Sequence, residues 1–163
     1  MKRGQIVFVL LLVPCVTVAQ WEYDRHVYFV NAPRGHSYFH STGTVSLPST
    51  LELIDGKLPV DTIAWFSPPN ALRFTWTSHP GGAWDAVIRL NIWRNRDIIL
   101  EGDTLAFWCR AQDTIPAGAL PALSLEDSAQ NRTDPLPMGQ LLPGLTGGSW
   151  TRCAVPLNRF TTS

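Results

Sequence analysis

The chain is short of charge, of lysine, of helical periodicity and of long apolar runs, and each shortage closes a class of function. Only 16% of its 163 residues are charged, and 13 basic groups balance 13 acidic ones. A nucleic-acid surface concentrates Lys and Arg on one face, and nothing in this balance offers such a concentration. After Lys2, Lys57 is the only lysine, so the cations are nearly all arginine, whose planar fork suits hydroxyl-rich partners. Beyond the first residues, no stretch approaches the roughly 20 apolar residues of a membrane-spanning helix, so no membrane insertion is expected. No segment of useful length carries the apolar period of a helix. There is no Gly-x-Ser-x-Gly elbow. A glycosidase needs two carboxylates about 5–10 Å apart across a cleft, and no pair stands out on one strand face, most acids lying beside turn signals as Asp55, Asp103 and Asp127 do. The expectation is therefore a chain that performs no chemistry by itself.

What is present begins with an export signal. Lys2 and Arg3 precede the apolar stretch Ile6 to Val13, and the small-residue exit Thr17-Val18-Ala19 follows. That order describes a secretory signal peptide over residues 1–19, cleaved near Ala19. Cys15 suggests a lipoprotein, but Pro14 before it fits that pattern poorly. The mature chain, residues 20–163, is expected to be secreted or held at the cell surface. Without Lys2 and Arg3 its balance is 11 basic against 13 acidic groups, a net charge of −2. Its length suffices for one domain with its own core.

Thirteen prolines and twelve glycines punctuate the full sequence at short intervals. Between them lie period-2 segments. Leu72, Phe74 and Trp76 alternate with Arg73, Thr75 and Thr77; Trp84, Ala86, Ile88, Leu90 and Ile92 share one face, with Asp85, Val87, Arg89, Asn91 and Trp93 on the other. Strands are expected over 104–111, 120–125, 136–138 and 150–155, with shorter ones over 26–30, 37–40, 44–47 and 51–54, and Asp55-Gly56 is a turn. Cys109 falls in phase with Leu105 and Phe107, and Cys153 with Val155 and Leu157, so both should point inward, as buried thiols or as a disulfide between strands. The pattern gives an all-β fold, a two-layer antiparallel β-sandwich or jelly roll.

From Pro69 to Phe160 the chain resembles the galactose-binding-like β-sandwich modules attached to secreted bacterial glycan-processing proteins. The residues that carry the resemblance are Pro69-Asn70-Ala71-Leu72-Arg73-Phe74-Thr75-Trp76, Gly82-Ala83-Trp84, Gly102-Asp103-Thr104-Leu105-Ala106-Phe107-Trp108, Leu120 to Asp127, Trp150-Thr151-Arg152 and Val155-Pro156-Leu157. The resemblance implies a non-catalytic module that binds or docks on glycan beside other domains of a longer chain. Such modules continue past the Pro-Leu-x-x-Phe segment into a further strand, often with an Asp for a structural calcium ion. This sequence stops at Ser163, so it is expected either to be a fragment of a longer protein or to complete its sheet differently, and the calcium site is in doubt.

A sugar site needs a flat aromatic face with polar groups at its rim. Trp93 with Arg94, Asp85, Arg89 and Asn91 is the candidate, because Trp93 shares the polar face of its strand. The plainer alternative is that Trp93 caps a strand end. Trp76, Trp84 and Trp150 are read as core residues, Trp108 as lying on an outer face with Arg110, and Trp65 as a loop plug rather than a contact. His36 and His40, about 13 Å apart if extended, lack the partners of a zinc set. Glu126-Asp127 with Gln130-Asn131 offers calcium-type oxygens, though a polar turn explains them as well; no cofactor is expected. Asn131-Arg132-Thr133 is a glycosylation sequon, which argues for an exposed loop. The functional expectation is a secreted non-catalytic carbohydrate-binding or accessory module. The alternatives are a structural or adhesion spacer of a cell-surface protein and, less favoured, a hydrolase fragment.

Overall fold

The computed structural model describes residues 35–89 and 102–162 together with Tyr28, Phe29 and Ala32. The signal-peptide segment 1–19 and most of the strand expected over 26–30 lie outside the described residues. The described chain is all-β and antiparallel, consistent with a β-sandwich. Its strands are β1 (Ser41–Ser46), β2 (Thr50–Leu51), β3 (Val60–Asp61), β4 (Ala71–Leu72), β5 (Trp76–Thr77), β6 (Ala83–Ile88), β7 (Thr104–Arg110), β8 (Ile115–Pro116), β9 (Ala122–Leu123), β10 (Leu136–Pro137), β11 (Gly144–Leu145) and β12 (Trp150–Pro156). Single-turn 3₁₀ helices follow β8, β10 and β12.

The pairing is nested, and it repeats. In the first half β1 pairs with β6, β2 with β5 and β3 with β4; in the second, β7 pairs with β12, β8 with β11 and β9 with β10. Each half is thus a long hairpin whose outer strands are its longest. The innermost loops are residues 62–70 and 124–135.

The long outer strands form where alternation is strongest. On β7, Leu105, Phe107 and Cys109 are half-buried while Ala106, Trp108 and Arg110 are exposed. On β12, Cys153 and Val155 are sealed, at 1% and 0% exposure. These inward residues pack against Ala111, Leu136, Met138, Leu142 and Leu145, the core of the second half. A separate cluster of Ala32, Tyr38 and Val60, backed by Phe29, Leu72 and Ile88, serves the first half.

Local chemistry explains the turns. Asp55 and Gly56 both take positive φ, at 52° and 73°, and Ile54 and Lys57 exchange two backbone hydrogen bonds of 2.9 Å. This is the two-residue hairpin turn that Asp-Gly favours. The strand expected over 37–40 is not one. Only Ser37 bridges, to Pro59, and the chain then turns because the Tyr38 carbonyl accepts both the amide and the hydroxyl of Ser41. Ser41 is wholly buried, and its Oγ also accepts the Leu58 amide at 2.9 Å. The alternating run 72–77 is likewise divided between β4 and β5.

Candidate functional site

The loop between β3 and β4 reaches across to the outer face of β7 and β12, and there the exposed aromatic residues gather. Asp61 fixes the loop at its start: its Oδ1 accepts the amides of Ile63 at 2.7 Å and Ala64 at 2.9 Å. The Ala64 amide foremost, then that of Ile63 and the charges of Arg73 and Arg110, hold the Asp61 carboxyl below its ordinary value against the opposing effect of burial. Asn70 fixes the end of the loop. It is 3% exposed, its Oδ1 accepts the Ala32 amide at 2.8 Å, and its Nδ2 donates to the Ala32 carbonyl at 2.9 Å.

The loop so held presents Ile63, Trp65 and Phe66. Phe66 stacks on Trp108, with ring centroids 4.2 Å apart and planes 13° from parallel, and meets Trp150 edge-on at 5.7 Å. Strand register sets the rest, because Trp150 lies opposite Arg110 and Arg152 opposite Trp108. Arg110 donates its Nε to the Gly148 carbonyl at 3.0 Å. A shallow cavity of about 390 Å³ is lined by Ile63, Ala64, Trp65, Arg110 and Trp150. The site can place flat π faces beside a cation with free N–H donors, a combination suited to a sugar ring and its hydroxyls.

Trp150 corrects the sequence reading, which put it in the core. It lies one residue out of phase with Cys153 and Val155, on the face shared with Arg152 and Ala154. Trp108 and Arg110 stand on an outer face as expected. Trp65 is 41% exposed and lines the cavity, so it is not a sealed plug. Trp76 and Trp84 are half-buried and tilt against each other at 5.6 Å.

Of the residues singled out for sugar binding, Asn91, Trp93 and Arg94 lie outside the described residues. Arg89 is exposed just beyond β6, and its amide donates to the His40 carbonyl at 2.8 Å. Asp85 accepts from Arg132 at 2.8 Å, and the same guanidinium binds Glu126, which raises the Arg132 pKa. Asp85 thus joins the first half to the 126–132 loop of the second, away from the residues that line the cavity.

Cys109 and Cys153 both point inward as expected and are free thiols. Register places Cys109 opposite Thr151 and Cys153 opposite Phe107. Diagonal positions are roughly 7–8 Å apart, whereas a disulfide needs Cβ atoms about 3.5–4.5 Å apart. Burial pushes both thiols up, and Cys153 adds to the effect on Cys109. Asp127 uses its own oxygens to close a turn, accepting the amides of Ala129 and Asn131 and the Asn131 side chain, which chiefly lowers its pKa. Among the described residues no three His, Cys, Asp or Glu side chains are grouped to hold a metal ion.

No family model matches the chain. It is 29% identical over 160 residues, 98% of its length, to an exo β-1,2-glucooligosaccharide sophorohydrolase (non-reducing end) of Parabacteroides distasonis. The crystal structure of a β-1,2-glucanase from Parabacteroides distasonis superposes on 83% of the chain with a TM-score of 0.78 and 30% identity. The chain spans about a fifth of each, 22% of the first and 19% of the second. It is similar to glucan-processing proteins.

This likeness overturns two expectations. The chain was expected to be a non-catalytic carbohydrate-binding, accessory or spacer module and not an enzyme. The proteins it matches over nearly its whole length are named as hydrolases, so the hydrolase alternative, ranked last, takes precedence. The error has a physical source. The reacting carboxylates of proteins about five times as long need not lie within the stretch that this chain matches.

Proposed function

We propose that this chain is part of an exported glycoside hydrolase that acts on β-1,2-linked glucan, and that the glycan is its partner. The observation that carries this reading is the match of 98% of the chain to a sophorohydrolase, supported by a TM-score of 0.78 to a β-1,2-glucanase. The aromatic cleft beside Arg110 is the surface that best suits a glycan among the described residues. Export rests on the charged start, apolar stretch and small-residue exit of residues 1–19.

Linkage selectivity tests the reading. The full-length product of the gene that carries this chain is incubated with β-1,2-, β-1,3- and β-1,4-linked glucans, and new reducing ends are measured. The expected outcome is hydrolysis of the β-1,2-linked polymer at a rate well above the other two. Hydrolysis of another linkage with none at β-1,2 bonds would refute it.

A further inference from the structure

The cleft between the two halves is assembled from residues far apart in sequence, and several of them are held in place by neighbours. Ile63, Ala64 and Trp65 ride on the turn that Asp61 ties with two amide hydrogen bonds. Trp150 is braced by the edge-on ring of Phe66, which is itself stacked on Trp108. Arg110 is anchored through Nε to Gly148, and its terminal amino groups make no hydrogen bond among the described residues. The cavity of about 390 Å³ falls at the small end of the roughly 300–1,000 Å³ typical of ligand pockets.

Resting on the reading as a β-1,2-glucan hydrolase, we infer that this cleft holds glucosyl units of the glucan substrate. Trp65 and Trp150 supply ring faces for the C–H side of a pyranose, and Arg110 donates to its hydroxyls. Two features favour a neutral sugar over a protein partner. The lining sets two indoles beside a guanidinium and carries no carboxylate, and the shallow depression is polar and apolar in similar measure rather than a purely apolar patch. Ile63, 93% exposed, forms the rim. Bound glucan would lie against both halves at once, because the loop belongs to the first and Arg110 and Trp150 to the second.

The test is a titration of the whole chain with sophorose and longer β-1,2-glucooligosaccharides, followed by tryptophan fluorescence, with cellobiose as the linkage control. The expected result is a saturable change for the β-1,2-linked series. The Kd should rise about ten-fold in Trp65→Ala, the loss of one stacking face, rise in Arg110→Ala, and stay unchanged in Arg159→Ala, an exposed residue beyond β12 that does not line the cavity. Should Trp65→Ala fail to fold, acrylamide quenching of the wild-type chain replaces it, and bound glucan should reduce the quenching. No saturable change with any β-1,2-glucan, full binding by both cleft variants, or quenching of Trp65 through concentration-dependent self-association would each overturn the inference. The two readings fail separately. Hydrolysis by the full-length product with a silent titration removes only the cleft, whereas saturable binding with no β-1,2 hydrolysis removes only the enzyme reading.

Discussion

At the residue scale, single buried polar groups hold this chain together where its strands are too short to do so. Asn70 imitates a strand partner for Ala32, satisfying both its amide and its carbonyl. In Asn70→Ala a buried amide loses its partner, and the cost should be about 1–3 kcal/mol, read as a lower urea midpoint with an unchanged m-value. The thiols give a second check. Cys109 and Cys153 sit on the inward faces of β7 and β12 with pKa values raised by burial. Both should stay unreactive toward a thiol reagent at neutral pH in the folded chain and react on unfolding. Fast labelling of the native protein would contradict their placement. Inward orientation of both cysteines was legible from their phase with Leu105, Phe107 and Val155. Trp150 was misread because it was put in phase with aliphatic residues, while its strand parity is that of Arg152 and Ala154, opposite to Cys153 and Val155.

At the element scale, legibility follows strand length. β6, β7 and β12 run six or seven residues, long enough for alternation to declare itself. Strands such as β3, β8 and β11 have two residues each, too few for any period. Their pairing depends on contacts from distant chain, which no local pattern records. The cleft was half legible for the same reason: Trp108 and Arg110 showed their outward phase, but the approach of Trp65 and Phe66 is a tertiary event. The 61–70 loop should respond to acid. The folded pKa of Asp61 lies below its unfolded value, ordinarily 3.8. Its contribution is therefore present above that value and is lost as pH falls through the folded pKa. Trp65 emission should shift in that acid window in the wild type. In Asp61→Asn, which keeps an accepting oxygen but does not titrate there, the shift should vanish. A second element-scale expectation concerns Gly139, where an added Cβ would collide with the Ala117 carbonyl oxygen of the neighbouring 3₁₀ turn. Gly139→Ala should lower stability by about 1–3 kcal/mol, the usual cost of forcing atoms into a filled site, measurable by thermal unfolding.

At the scale of the whole molecule, two nested hairpins meet along the Phe66–Trp108 stack and the Asp85–Arg132 pair. The ion pair is the weaker of the two junctions. Its side chains are each 45% exposed, and exposed pairs contribute about 0–1 kcal/mol. Arg132→Ala should therefore change the melting temperature little, and Trp108→Ala more. The fold class was readable because alternation and turn residues agree along most of the chain. The function was not, because the hydrolase it resembles is about five times longer than the matched segment. Product identity tests that central claim most directly. The full-length gene product is given β-1,2-glucooligosaccharides labelled at the reducing end, and the products are separated by chromatography. Shorter β-1,2-linked products, labelled and unlabelled, should appear. Oligosaccharides that stay intact, with no cleavage of β-1,2 bonds, would contradict the account.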